Sequence, residues 1–160
     1  MVKTVAGLSG HVNAVLRDSY GYLKEERDGP NTVTNLGLGR ITSLIGEGLT
    51  PGNKWGWIAI GSSDAAATES QTSLEGEITT ANGDRDASTV TAETESTNGD
   101  TLQLVSGWNF SADMTIRESG VFNQLAVGGD MLCRQTFTAL PVDSGDSLTI
   151  TWKITLDQSA

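Results

Sequence analysis

From Leu148 to Leu156 the chain reads Leu-Thr-Ile-Thr-Trp-Lys-Ile-Thr-Leu, apolar and polar residues alternating without a break. Successive side chains of a strand point to opposite faces, so Leu148, Ile150, Trp152, Ile154 and Leu156 share one face while Thr149, Thr151, Lys153 and Thr155 share the other. A helix would scatter those five apolar residues around its surface; a half-buried antiparallel strand keeps them together. Threonine is β-branched and favours the pleated backbone, and the chain holds 20 Thr beside 19 Gly, a composition of strands and turns.

The rest of the chain repeats the pattern in shorter pieces. Val12, Ala14 and Leu16 alternate with mostly polar positions, Asp18-Ser-Tyr-Gly21 supplies turn chemistry, and Tyr22 to Arg27 returns, which predicts a β-hairpin with a charged second strand. Asp28-Gly-Pro-Asn31 predicts a second turn. The period then changes. Leu38, Ile41, Leu44 and Ile45 are spaced by three and four before Gly46 and Gly48, so residues 35–46 are the one expected helix. Gly37 and Gly39 weaken it by roughly 1 kcal/mol each relative to Ala. Lys54 to Ile60 reads as an apolar strand and Gly61 to Ile78 as a long polar loop. Further strands are expected at 88–96, 101–110, 114–117, 120–123 and 131–138, the first two joined at Asn98-Gly99. Eight or nine short strands without a repeat or linker predict a single all-β domain over 1–160, a sandwich or barrel.

Charge narrows the partners. Twenty acidic against ten basic residues give a net charge of −10, spread along the chain, and such a surface repels phosphate backbones and anionic bilayers. Neither nucleic acid nor membrane is an expected partner. The N-terminal Met-Val-Lys-Thr-Val-Ala-Gly lacks the apolar run of a signal peptide, which predicts folding in the cytoplasm. The single cysteine, Cys133, excludes an intrachain disulfide, and the run Met131 to Phe137 places it with Met131 and Phe137 on one strand face as a buried, inert thiol.

No residue set supplies a nucleophile, a base and an orienting group together, so no enzyme activity and no cofactor are expected. His11 is the only histidine and reads as a solvated or packing residue. Asn82-Gly-Asp-Arg-Asp86 with Glu93 reproduces part of a calcium-loop spacing, but Ala87 stands where that loop requires glycine. Asp143 and Asp146 offer a looser cation site, though turn chemistry already explains both. Glu75, Glu77, Asp113 and Glu118 could pair as glycosidase carboxylates, a pattern that most acidic chains offer. Trp55 and Trp57 fall on one face of their strand, as core, as an interface anchor or as a sugar platform.

Along the chain come Gly10-His-Val-Asn-Ala-Val-Leu-Arg-Asp18 with Gly21, Asn31 to Gly37, Ile58 to Ile78, Ile116 to Asn123, and Met131 to Phe137 before the alternating strand. In order and content these segments resemble small structural proteins of tailed phages and their archaeal relatives. The resemblance implies an antiparallel β-sandwich of jelly-roll type in a virion accessory protein, a capsid decoration or cement subunit. Its partners would be the major capsid protein, other virion proteins and further copies of itself. The alternative is a tail, collar or turret component that binds host-surface glycans. Residues 1–9 then read as an extended arm or a frayed terminus, and Val2, Val5, Leu8, Trp55 and Trp57 are the candidate interface residues.

Overall fold

The computed structural model describes residues 7–38, 41, 54–94 and 100–157. In chain order its strands are β1 (Gly7–Arg17), β2 (Leu23–Pro30), β3 (Thr32–Val33), β4 (Trp57–Gly61), β5 (Asp86–Ala87), β6 (Thr89–Glu93), β7 (Thr101–Asn109), β8 (Met114–Phe122), β9 (Met131–Val142) and β10 (Ser147–Asp157). They build two antiparallel five-stranded sheets, β2-β1-β10-β7-β6 and β3-β9-β8-β4-β5. The expected all-β sandwich is therefore present. The chain passes between sheets at β2–β3, β5–β6, β7–β8 and β9–β10.

The alternating C-terminal segment is β10, in the middle of the first sheet between β1 and β7. Leu148, Ile150 and Trp152 are fully buried and Ile154 nearly so, facing Ile58, Ile60, Ile116 and Val121 of the second sheet across one core. Each such burial contributes about 1.5–3 kcal/mol. Leu156, expected on the same buried face, is 59% exposed because the core ends before it. The Trp152 indole donates to Ser119 Oγ at 3.2 Å, and that hydroxyl donates to the Ala59 carbonyl at 2.9 Å, so the one polar atom of the ring is matched across the core.

Several boundaries differ from the sequence reading. The expected strands 114–117 and 120–123 form the one strand β8, which ends at Phe122 and shows register shifts between Ile116 and Glu118 and between Val121 and Phe122. The second irregularity separates Met131 from Cys133. Cys133 faces the main core with Phe137 packed against it, whereas Met131 joins a second cluster on the outer face with Ala59, Leu74 and Phe122, so Met131 leaves the expected shared face. Cys133 is fully buried and unpaired, and burial pushes its thiol far above the ordinary value. β2 runs through Asp28, Gly29 and Pro30, where a turn was expected, and the chain leaves the first sheet only at Asn31. Residues 35–38 and 41 are helical; the remainder of 35–46 lies outside the described residues, as does Asn98-Gly99. Of the expected arm, Gly7, Leu8 and Ser9 pair with Asp157, Leu156 and Thr155 as the start of β1, and residues 1–6 lie outside the described set.

The second sheet carries a roof. After β4 the chain loops out, and at Glu77 it returns opposite Gly61, while Ile78 N donates to the Ile60 carbonyl at 2.9 Å. Leu74 of this loop packs into the outer cluster. Beneath it lies an ion pair with both side chains fully buried, Glu118 of β8 and Arg134 of β9, at 2.7–2.8 Å. Arg134 also donates to Gln71 Oε1 at 2.9 Å, and Glu118 accepts the backbone N–H of Gly76 at 2.7 Å and of Glu75 at 3.3 Å. One buried carboxylate–guanidinium pair thus fastens loop to sheet from both ends. A β-carbon at Gly61 would collide with the Glu118 carboxylate, which accounts for glycine there.

Candidate functional site

Two loops at opposite ends of the sandwich present apolar side chains to solvent. At the first, the β1–β2 turn, Asp18 organises the backbone. Its Oδ1 accepts the N–H of Tyr20 and of Tyr22, both at 2.9 Å, and its carbonyl accepts the Gly21 N–H at 2.9 Å. Gly21 has φ +89°, a conformation glycine adopts without strain. Arg17 donates to the Gly21 carbonyl at 3.1 Å. Lys24 fixes the base of the hairpin, reaching Asp143 at 2.7 Å and Asp146 at 2.5 Å in the β9–β10 turn. Hydrogen bonds from Lys24 to Asp143 and then Asp146 raise its pKa above the ordinary value. On this braced tip Tyr20 is 86%, Tyr22 72% and Leu23 55% exposed. Large side chains standing together this far into water make the tip a candidate contact surface.

The other loop joins β8 to β9, at the end of β9 remote from the Lys24 clamp. Arg85 organises it from below. Its Nη1 donates to the carbonyls of Gln124, Ala126 and Gly128 at 2.8–3.0 Å, and its guanidinium lies 3.7 Å from the centroid of the Phe122 ring. Glu77 neutralises it through two contacts at 2.6 and 2.8 Å, both side chains almost wholly buried. Leu125 and Val127 project from this loop, 55% and 66% exposed.

The candidate interface residues separate. Trp55 precedes β4 and is buried in the main core, whereas Trp57 is half-buried against the outer cluster; the expected common face is absent because the strand begins only at Trp57. Leu8 is half-buried and packs against the main core. Val2 and Val5 lie outside the described residues. Leu8, Trp55, Ala92, Leu102, Ile154 and Leu156 line an apolar recess of about 230 Å³ at the end of the first sheet where β6 terminates.

The carboxylates are engaged one by one. Glu77 serves Arg85, Glu118 serves Arg134, Glu75 accepts from Gln71 at 3.2 Å and Asp113 from the Ser144 N–H at 2.9 Å. In the calcium-like stretch Arg85 is the buried centre of the loop clamp and Asp86 accepts the Gly107 N–H at 3.2 Å. Asp143 and Asp146 hold Lys24. His11 lies on the outer face of the first sheet, 2.7 Å from Asp28, a partner 17 residues away that strand pairing supplies. Among the described residues no group of three or more His, Cys, Asp or Glu is placed to hold a metal ion, and no helix is long and apolar enough to cross a membrane. A half-open cleft of about 480 Å³ between β2 and β9 is lined by Arg27, Asp28, Asp64 and residues 135–138, with Arg27 donating to the Thr138 and Ala139 carbonyls at 3.0 Å.

The sequence reading placed a turn at Asp18–Gly21 but singled out none of Tyr20, Tyr22, Leu23, Leu125 and Val127. Two tyrosines flanking a glycine in a turn begun by Asp have no core to enter, and that signal is local. The clamps formed by Arg85 and Arg134 depend on residues 8 to 63 positions away and have no local signature. Comparison with family models, with curated proteins and with solved structures finds no match.

Proposed function

We propose that the protein is a structural subunit of a virus particle, a capsid decoration or cement protein made in the host cytoplasm. In this role it stabilises the shell through contacts between its own copies and with the major capsid protein. It catalyses no reaction and takes no cofactor. The observation that carries the reading is the display of apolar side chains, Tyr20, Tyr22 and Leu23 at one end and Leu125 and Val127 at the other, on loops held by charged clamps. Apolar groups that are already ordered lose little entropy on docking, so a subunit of this form can bridge two neighbours. The resemblance of the motif order to phage virion proteins supports the same role, and the acidic surface disfavours contact with packaged nucleic acid.

The test is to separate tail-less shells from tails in purified particles and to quantify the protein in each. Recovery with the shells is expected. Recovery only with tails would refute the capsid assignment. One feature favours a second reading, a tail, collar or turret component that binds host glycans: the exposed ring pair of Tyr20 and Tyr22 could stack on sugars. Glycan binding lost in Tyr20→Ala, together with absence from shells, would select it.

A further inference from the structure

We propose that β6 is a self-pairing edge: two copies join β6 to β6 in antiparallel fashion, and their first sheets become one continuous sheet about a two-fold axis.

The inference begins from an asymmetry within one sheet. Its two edge strands are β2 and β6. Along β2 runs Lys24-Glu25-Glu26-Arg27-Asp28, closed by Pro30, the charges and proline with which natural sheets block the approach of another strand. Ala87-Ser-Thr-Val-Thr-Ala92 carries no charge and no proline, and it leads to Glu93 at the end of β6. In an antiparallel strand alternate residues aim N–H and C=O away from the existing neighbour. β6 pairs with β7 through Thr89–Val105 to Glu93–Thr101, and among the described residues no strand lies on its other side. Those outward groups fix the geometry of the occupant, which must be an extended strand.

Charge and symmetry select a second copy. A chain of net charge −10 repels itself over most of its surface, and this edge is a place where two copies can approach without like charges meeting. With Thr91 on the axis, Thr89 of one copy faces Glu93 of the other; with Val90 on the axis, Thr89 faces Thr91. Neither register opposes two carboxylates. Antiparallel pairing of one strand with itself is isologous and closes as a dimer. Val90 contributes further. It lies opposite the fully buried Leu104, yet it is 41% exposed because the second sheet ends at the two-residue β5 and leaves it uncovered. A strand added at this edge covers it. Five residues make a modest interface, whose occupancy rises where copies are held close together on a shell.

The inference rests on the homo-oligomeric part of the proposed role and not on the location in the particle. Sedimentation equilibrium of the full chain over a wide concentration range tests it, with Thr91→Lys to place a charge at the axis and Glu26→Lys as the matching change at the β2 edge. Circular dichroism confirms that each variant is folded. A monomer–dimer equilibrium is expected, with Kd raised tenfold or more by Thr91→Lys, about 1.4 kcal/mol or above, and unchanged by Glu26→Lys. A strictly monomeric wild type, or a dimer insensitive to Thr91→Lys, would overturn it. A monomer that still decorates shells would overturn the self-pairing alone; a dimer absent from shells would overturn the location alone.

Discussion

The two sheets have equal strand numbers, and their outer faces are finished in opposite ways. The second sheet is roofed by the loop after β4 and fastened by two buried ion pairs, Glu118–Arg134 and Glu77–Arg85. Among the described residues no loop roofs the first sheet. Its outer face shows Thr89, Thr91, Gln103, Lys153, His11 and Asn13 to solvent, and its charged contacts, His11–Asp28 and Asn13–Glu26, lie at the surface. Charge on the second sheet holds the architecture, because a desolvated pair costs several kcal/mol when broken. Charge exposed on the outer face of the first sheet contributes little to stability. The first sheet can therefore vary its surface, and accept neighbours, without endangering the fold.

Breaking the roof should give the largest effect. Arg134→Met leaves Glu118 buried without its cation and is expected to cost about 3–5 kcal/mol, read as a lowered denaturation midpoint. Glu118→Gln on that background removes the stranded charge yet keeps an acceptor for the Gly76 N–H, and should recover part of the loss. An unchanged midpoint in Arg134→Met would show that the pair is open to water. The equivalent change on the outer face of the first sheet, His11→Ala, should cost at most about 1 kcal/mol and less in high salt. The hydrogen bond from His11 is the chief cause of the lowered pKa of Asp28, ahead of that from Asn13. A carboxylate with a depressed pKa contributes stability that is fully present above its ordinary value, 3.8 here, and is lost as pH falls through the lower folded value. The difference in stability between wild type and His11→Ala should hence shrink as the pH falls below 3.8. A difference that grows there would contradict the assignment. Smallest of all, Tyr20→Ala should alter stability by under about 0.5 kcal/mol, as an exposed substitution does, while weakening any contact made by the tip.

What could be read from the sequence follows the range of the interaction that decides it. β10 and the β1–β2 hairpin are written in neighbouring residues, by alternation and by Asp18 with Gly21, and both formed as expected. Pro30 reads locally as a turn and was overridden because β2 is an edge strand, whose outward positions need no donor. The divergent faces of Met131 and Cys133 follow from a register shift opposite Val121 and Phe122, where Leu132 is the extra residue in β9, and the run 131–137 carries no local sign of it. The buried clamps were least legible. Glu118 and Arg134 look like ordinary surface charges until β8 and β9 align and the Leu74 loop closes over them. The calcium-like spacing at 82–93 was set aside because of Ala87, but the buried Arg85 between those acidic residues, which holds the β8–β9 loop, gave no local sign.

The contrast between the two edges of the first sheet admits a direct measurement, amide hydrogen exchange of the full chain at low and high concentration. The account predicts that amides of Thr89–Glu93 gain protection as concentration rises, while those of Leu23–Pro30 keep the same rates. Unchanged exchange in β6, or protection appearing along β2 instead, would contradict it.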